Sequence, residues 1–211
     1  QVNERGVYSF CMCPGGFIVP AATANGEVVV NGMSPSKRNN LYANSGIVVE
    51  INADTDLHKY KQFGALKGLE YQKNLERLAF TAGGRSQTAP AQRLTDFVEG
   101  KLSNDLNDTS YQPGLKSAPL HSLLPKFIGG RLRKGFEAFG RKMKGYYTEE
   151  ANVVGVESRT SSPVSIPRNE QLQHTQISNL YPCGEGGGYA GGIVSAAMDG
   201  ERCAEAATNN L

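Results

Sequence analysis

A chain of 211 residues, 39% hydrophobic and 20% charged, is long enough for one large domain or two small ones and has an ordinary globular composition. Its 22 basic and 20 acidic residues leave a net charge of +2, which excludes a global electrostatic drive towards nucleic acid or a membrane surface. No apolar run reaches membrane-spanning length, no signal peptide is visible, and four cysteines are too few for a disulfide scaffold. A reducing, cytoplasmic setting is expected. The chain starts at Gln1 rather than Met, so further sequence is expected before it.

The first fifty residues read as strands. Val7–Phe10 is short and β-prone, and Gly16–Val19 and Glu27–Val30 flank Ala24-Asn25-Gly26, where Asn-Gly signals a hairpin. Residues 32–45 form a polar loop. Gly46–Ile51 is a further strand, apolar enough to be buried on both faces. The period then changes. Leu66, Leu69, Leu75, Leu78 and Ala79 fit one helical face, and Leu94, Phe97, Val98, Leu102 and Leu106 fit another, with Gly83-Gly84 and Pro90 as punctuation. Residues 107–119 read as a loop. A third helical stretch runs from about His121 to Met143, divided by Pro125 and by Gly129-Gly130. Strands return at Asn152–Glu157, Pro163–Ile166 and Leu180–Cys183, before a small-residue helix over Gly192–Ala207. The expected class is α+β, with a mainly antiparallel sheet interrupted by a helical insertion and closed by one β-turn-α unit.

The turn of that last unit carries the densest signal. Gly186, Gly188 and Gly191 satisfy G-x-G-x-x-G between a predicted strand and a predicted helix. Glycines let backbone approach a ligand closely, and a helix N-terminus offers N–H groups and positive potential to an anion. The usual dinucleotide role requires a second strand and an acidic residue about 20 residues further on, and the sequence ends at Leu211. The turn therefore reads as the closing piece of a nucleotide site whose other strands lie elsewhere; the plainer reading is a structural glycine turn.

Leu180-Tyr-Pro-Cys-Gly-Glu-Gly-Gly-Gly-Tyr-Ala-Gly-Gly-Ile193 resembles the C-terminal flavin motif of bacterial FAD-dependent dehydrogenases, a family similar to the glutathione-reductase-like flavoproteins. Ser9–Gly16, Asn31–Ser34 with Ala43–Ser45, and Gly155–Pro163 resemble further stretches of the same family, in the same order. The resemblance implies an oxidoreductase that binds FAD and whose N-terminal Rossmann domain is not in this chain. Residues 1–175 would form the substrate side, with the helical insertion at about 57–147, and residues 176–211 would close the FAD domain. The resemblance also implies that Gly184, Glu185, Gly186, Gly187, Gly188, Tyr189, Gly191, Gly192 and Ile193 contact the cofactor. Glu185 would face the ribityl or phosphate region, and Gly191, Gly192 and Ile193 would lie near the isoalloxazine. Gly187 replaces the family's usual Ala, a small change. The isolated fragment is expected to be inactive and not to retain FAD strongly.

Other candidates are weaker. Cys11 and Cys13 lie at i, i+2 on an extended segment and are expected on opposite faces, which would disfavour a disulfide between them. Isolated His58, His121 and His174 give no zinc spacing, so no metal is expected. One of the two thiols could wall the substrate site; buried structural cysteines are the plainer reading. Arg159 could clamp an anionic substrate, and Arg38 has the same reading with less support. The bases Lys126, Arg131, Arg133, Lys134, Arg141, Lys142 and Lys144 accompany Phe136, Phe139 and Met143 at helical spacing. Buried aromatics and a solvated basic face follow. The alternative is a standalone binding module whose basic helices meet an anionic partner, which would show steep salt dependence. Nucleic-acid and membrane partners are not expected, and no acid–base pair stands out.

Overall fold

A computed structural model describes residues 6–209. In chain order the elements are β1 (Val7–Cys13), β2 (Phe17–Pro20), β3 (Val30–Met33), β4 (Asn44–Val49), α1 (Ala53–Asp56), α2 (Lys67–Ala82) and β5 (Ala89–Arg93). They continue with α3 (Leu94–Glu99), β6 (Leu115–Ser117), α4 (Leu120–Leu123), α5 (Lys126–Lys142), β7 (Asn152–Val154) and α6 (Ile193–Asn209). The fold is α+β, as expected. The chain divides into two compact units, one from Gln1–Asn52 with Lys73–Ser158 and one from Ala53–Gln72 with Arg159–Leu211.

In the first unit β1 pairs antiparallel with β4, from Val7↔Val49 to Cys13↔Asn44, with a bulge between Phe10 and Cys13. β4 is half-buried along most of its length rather than covered on both faces, because a two-stranded ribbon shields one side. β2 and β3 form the expected antiparallel pair, with Phe17 opposite Met33. Their connection is longer than the Asn25-Gly26 signal implied. Val28 and Val29 leave the ladder and bury themselves instead, and the Val28 N–H donates to Glu76 O at 3.1 Å.

Of the third sheet, in the order β6-β5-β7, only β7 was expected from the sequence, within Asn152–Glu157. Its central strand reads Ala89-Pro90-Ala91-Gln92, almost fully buried but without large apolar residues. Pro90 has no N–H to give; its carbonyl accepts from Gly155 N at 3.0 Å. β5 runs parallel to β6 and antiparallel to β7, so the segment expected as a helical insertion also carries two strands. Gln92 is buried, and its Oε1 accepts from the His121 N–H at 2.9 Å.

The helices follow the apolar periodicity with three corrections. On α2, Leu75 and Ala79 are buried as expected, whereas Leu78 and Leu66, just before the helix, are exposed. α3 stops at Gly100, which takes the left-handed conformation at φ 77° and lets the Lys101 N–H cap back onto Asp96 O. Leu102 therefore falls outside the helix and is exposed. Pro125 separates α4 from α5 as expected, but α5 runs unbroken through Gly129-Gly130. The two glycines cost helix stability of about 1 kcal/mol each, and burial of Ile128, Leu132 and Phe136 on one stripe offsets it. Phe136 meets Phe97 edge-on at 5.8 Å.

The second unit contains α1, the first residues of α2, and α6, which spans the small-residue stretch expected to be helical. No strand forms over residues 163–166 or 180–183. Pro182 lacks an N–H, and the segment's carbonyls bond singly: Leu180 O accepts from His174 N at 2.7 Å, and Pro182 O accepts from the Arg168 side chain at 2.9 Å. The expected β-turn-α unit is thus an extended segment, a turn and a helix.

Candidate functional site

The glycine-rich turn sits on a polar clamp. The carboxylate of Asp199, in the second turn of α6, accepts from Gly184 N at 2.8 Å. The same carboxylate takes both arms of Arg168, at 3.0 Å from Nη1 and 2.7 Å from Nη2. Arg168 also donates to Pro182 O, and its guanidinium lies over the Tyr189 ring at 3.6 Å from the centroid. Tyr189 in turn donates its hydroxyl to Ile166 O at 2.7 Å. The Arg168 hydrogen bond, helped by the Gly184 N–H, holds the Asp199 carboxyl below the usual carboxylate range. Neither Arg168 nor Asp199 was singled out from the sequence. They stand 31 residues apart, and no spacing rule links them.

The turn closes on itself through Gly188 N to Glu185 O and Tyr189 N to Gly184 O, both at 3.0 Å. Gly188 adopts φ 84°, and a β-carbon added there would come within 3.0 Å of Val164 O and 3.1 Å of Ser165, so a side chain would be strained and crowded. Ile166 N donates to Gly187 O at 3.1 Å. The Ser162 hydroxyl donates to Val164 O at 2.6 Å, with Gly186 O 3.2 Å away. The stretch that ends at Pro163 therefore runs into the segment that props the turn from below. Arg159 lies in this unit, half-buried.

Above the turn the surface is open. A β-carbon added at Gly186 or Gly191 would meet nothing within 4 Å. Ile193 and Val194, which open α6, are 91% and 72% exposed. No acidic residue sits in the first turn of this 17-residue helix, so nothing there neutralises the positive end of its dipole. Bare backbone, an unneutralised helix N-terminus and two apolar side chains suit a ligand that combines an anionic or electron-rich edge with a flat apolar ring. FAD has that character. Of the residues expected to contact it, Glu185, Gly186, Gly188, Gly191, Gly192 and Ile193 are exposed, whereas Gly184 and Gly187 are buried and Tyr189 is engaged with Arg168 and Ile166.

A second cluster forms in the first unit, where three of the sequence motifs converge. Cys13 pairs with Asn44 across the β1–β4 ladder, and Gly32 packs against the Asn44 side-chain oxygen. Gly15, at φ 55°, packs so tightly on Arg38 O that any side chain would collide. Arg38 itself is exposed. Cys11, in the bulge at φ 47°, is exposed, while Cys13 is buried with its thiol 3.2 Å from Cys11 O. Residues i and i+2 of a regular strand share a face, so the spacing alone does not separate the two thiols; the bulge at Cys11 is what leaves one exposed and the other buried. A neighbouring cleft of about 400 Å³ is lined by Phe17, Asn40, Tyr42, Thr109, Ser110 and Gln112. It offers hydroxyls and amides but no charged group. Glu157, next to Gly46, has its carboxyl raised by burial, and it was not visible as a proton-transfer candidate.

On α5, Lys126, Lys134, Arg141 and Lys142 are exposed, as is Lys144 just beyond it. Arg133 instead donates to Val98 O, and Arg131 lies over Phe127 at 5.5 Å. Phe136 is buried and Phe139 half-buried, whereas Met143 is 44% exposed because the helix ends before it. Among the described residues no group of His, Cys, Asp and Glu could hold a metal ion, and no helix is long and apolar enough to cross a membrane.

Comparison with known proteins adds two findings. Residues 1–160 match the model of the family described as FAD-dependent protein, C-terminal domain-like. Over 204 residues, 96% of this chain, the sequence is 43% identical to an uncharacterized protein of Clostridium beijerinckii. The chain spans 38% of that relative's length. The family match ends before the glycine-rich turn.

Proposed function

From the premise that this chain belongs to the FAD-dependent protein, C-terminal domain-like family, we propose that it is the substrate-side and C-terminal part of a flavoprotein oxidoreductase. In this reading FAD carries the electrons and the turn at Gly184–Ile193 supplies the last contacts of its site. Residues 1–175 form the substrate side, with an insertion at about 57–147, and residues 176–211 close the flavin domain. Arg168 then ties the end of the first piece to the second, through Pro182 O and Asp199. The parent enzyme is a dehydrogenase of the glutathione-reductase-like kind, working in a reducing cytoplasm on a small molecule. A Rossmann half elsewhere in the protein holds the adenine and pyrophosphate.

The observation that carries this reading is the contrast between the two sides of the turn. Below, the stretch from Gly184 to Tyr189 is bonded to Asp199, to the 162–166 segment and to itself, with the Tyr189 ring against Arg168. Above, Gly186 and Gly191 face open space. Preorganised backbone that faces outward spends no binding energy on ordering itself when a cofactor arrives. The flavin supplies hydride or electron transfer when bound; this chain's residues orient it and present N–H groups at the start of α6.

The test is the visible spectrum and FAD titration of the full-length protein, wild type and Gly191→Leu. The wild type is expected to carry flavin. Gly191→Leu should keep the wild-type fold, because a β-carbon there meets nothing within 4 Å, yet bind FAD at least about tenfold more weakly, or 1.4 kcal/mol. A colourless wild type that takes up no added FAD overturns the proposal.

A further inference from the structure

Beneath the turn lies a pair of cysteines that the flavin reading does not use. Cys203 is 4% exposed and sits one helical turn after Asp199 on α6. Its sulfur lies 3.8 Å from Pro182 O, the carbonyl immediately before Cys183. The bond from Gly184 N to Asp199 pins the chain next to Cys183 against the helix turn next to Cys203. Both neighbours of Cys183 in the chain, Pro182 through its carbonyl and Gly184 through its N–H, thus bond to the stretch of α6 that carries Cys203. Cys183 is exposed and Cys203 buried, and neither is in a disulfide. The Arg168 guanidinium stands 3.3 Å from the Cys203 sulfur.

We propose that Cys183 and Cys203 form a reactive dithiol that is oxidised by low-molecular-weight disulfides, and that its closure ties the glycine-rich turn to α6. Cys183, in contact with solvent, is the attacking thiol. Its thiolate displaces one half of the small disulfide as a thiolate and remains joined to the other half. Cys203 then attacks the Cys183 sulfur, the second half leaves as a thiolate, and the two protons lost by the cysteines end on the two released thiols. Two electrons pass from the pair to the small disulfide, which becomes two thiols.

The asymmetry of the pair suits this order. Burial pushes the Cys203 thiol up, with the nearby Arg168 opposing, so Cys203 stays protonated and protected until its partner is modified. The cation at 3.3 Å is then in place to steady the thiolate as it forms. An S–S bond is about 2.05 Å long, and the residues on both sides of Cys183 are already bonded to the α6 turn that carries Cys203, so closure joins segments that are held together beforehand. A link in this position would act on the same element as the Gly184–Asp199 bond. Its effect on FAD rests on the flavin reading above; formation of the link does not.

The experiment treats the folded full-length protein with oxidised glutathione, blocks remaining thiols with an alkylating reagent and maps the peptides by mass. The expected result is loss of both thiols with a Cys183–Cys203 peptide pair. Cys203→Ser should instead accumulate glutathione on Cys183, and Cys183→Ser should leave Cys203 unmodified. Exposed Cys11 serves as an internal comparison, because glutathione added there should persist. A wild-type protein in which glutathione also persists on Cys183 overturns the proposal, whether or not the variants fold. So does one in which neither thiol reacts. FAD affinity is then compared between the oxidised and reduced forms, and a change of about threefold or more is expected for a tethered turn (about 0.65 kcal/mol). A linked protein with unchanged affinity overturns the coupling to the turn. A linked protein that binds no FAD in either form overturns the flavin reading while the dithiol stands.

Discussion

The first unit buries Phe97, Tyr111, Leu120, Ile128, Leu132 and Phe136 with the valines at 28–30, whereas the second buries, among its described apolar residues, Leu57, Tyr71 and Cys203. The first is held as most domains are, by apolar area withdrawn from water. The second relies on an Arg168–Asp199 pair, a guanidinium over Tyr189, and backbone bonds around the glycine turn. It also leaves Ile177, Ile193, Val194 and Met198 more than half exposed. The difference teaches that the two units answer to different requirements. A packed core fixes a scaffold whatever binds to it. A polar clamp under an open surface fixes the backbone of one loop and leaves its apolar side chains for something else to cover.

The contrast can be broken first at its apolar pole. Phe97→Ala should destabilise the first unit by about 3–5 kcal/mol, seen as a lower denaturation midpoint, and should leave the exchange protection of the Gly184 amide unchanged. Asp199→Ala should do the reverse. It removes three hydrogen bonds, two of them charge-assisted, and should cost about 2 kcal/mol of local stability, read as faster exchange at Gly184 with little change in the first unit's midpoint. Equal loss of both signals from either variant would mean that the units do not unfold separately.

Acid should separate the units by sign. Asp199 has a lowered folded-state carboxyl, because of Arg168 first and then the Gly184 N–H. Its contribution is therefore complete above the ordinary carboxylate range and is lost as pH falls through the lowered value. Glu157, in the first unit, has a raised carboxyl through burial, so its ionised form penalises folding and the penalty is relieved as pH falls. Differences between wild type and Asp199→Asn, and between wild type and Glu157→Gln, followed from pH 7 to pH 3, should run in opposite directions. The smallest expected effect is a gain. The Tyr71 hydroxyl is buried with no hydrogen-bond partner among the described residues, and burial pushes its ionisation up. Tyr71→Phe should stabilise the second unit by about 1 kcal/mol, measured by amide exchange along the start of α2.

Much of this contrast was legible in the sequence on one side and little on the other. Helical periodicity gives α2 and α5, and the Asn-Gly signal gives a hairpin after β2 but places its second strand at Glu27–Val30 rather than at Val30–Met33, because each depends on residues close together in the chain. β5 escaped because Ala-Pro-Ala-Gln has neither large apolar residues nor period-2 alternation; its burial is imposed by β6 and β7 on either side. The glycine turn and the helix after it were legible because glycine reports backbone geometry directly. The clamp was not. Arg168 and Asp199 are ordinary surface residue types until the fold brings them together, and the strand expected at Leu180–Cys183 gave way to single bonds that periodicity does not encode.

The register of β5 with β7 has a consequence for how the molecule is made. Ala91 pairs with Val154 and Val30 N reaches Val156 O, so the first unit is completed by residues that leave the ribosome long after its opening strands. Until Val156 has emerged, one edge of β5 and the start of β3 lack their partners, and residues 53–72 wait for the rest of their own unit, which begins only at Arg159. Non-local pairings of this kind are slow to form and leave strand edges open to other chains. Nascent chains stopped between β6 and β7 should be the aggregation-prone species, and release from that state should coincide with synthesis of the stretch around Gly155.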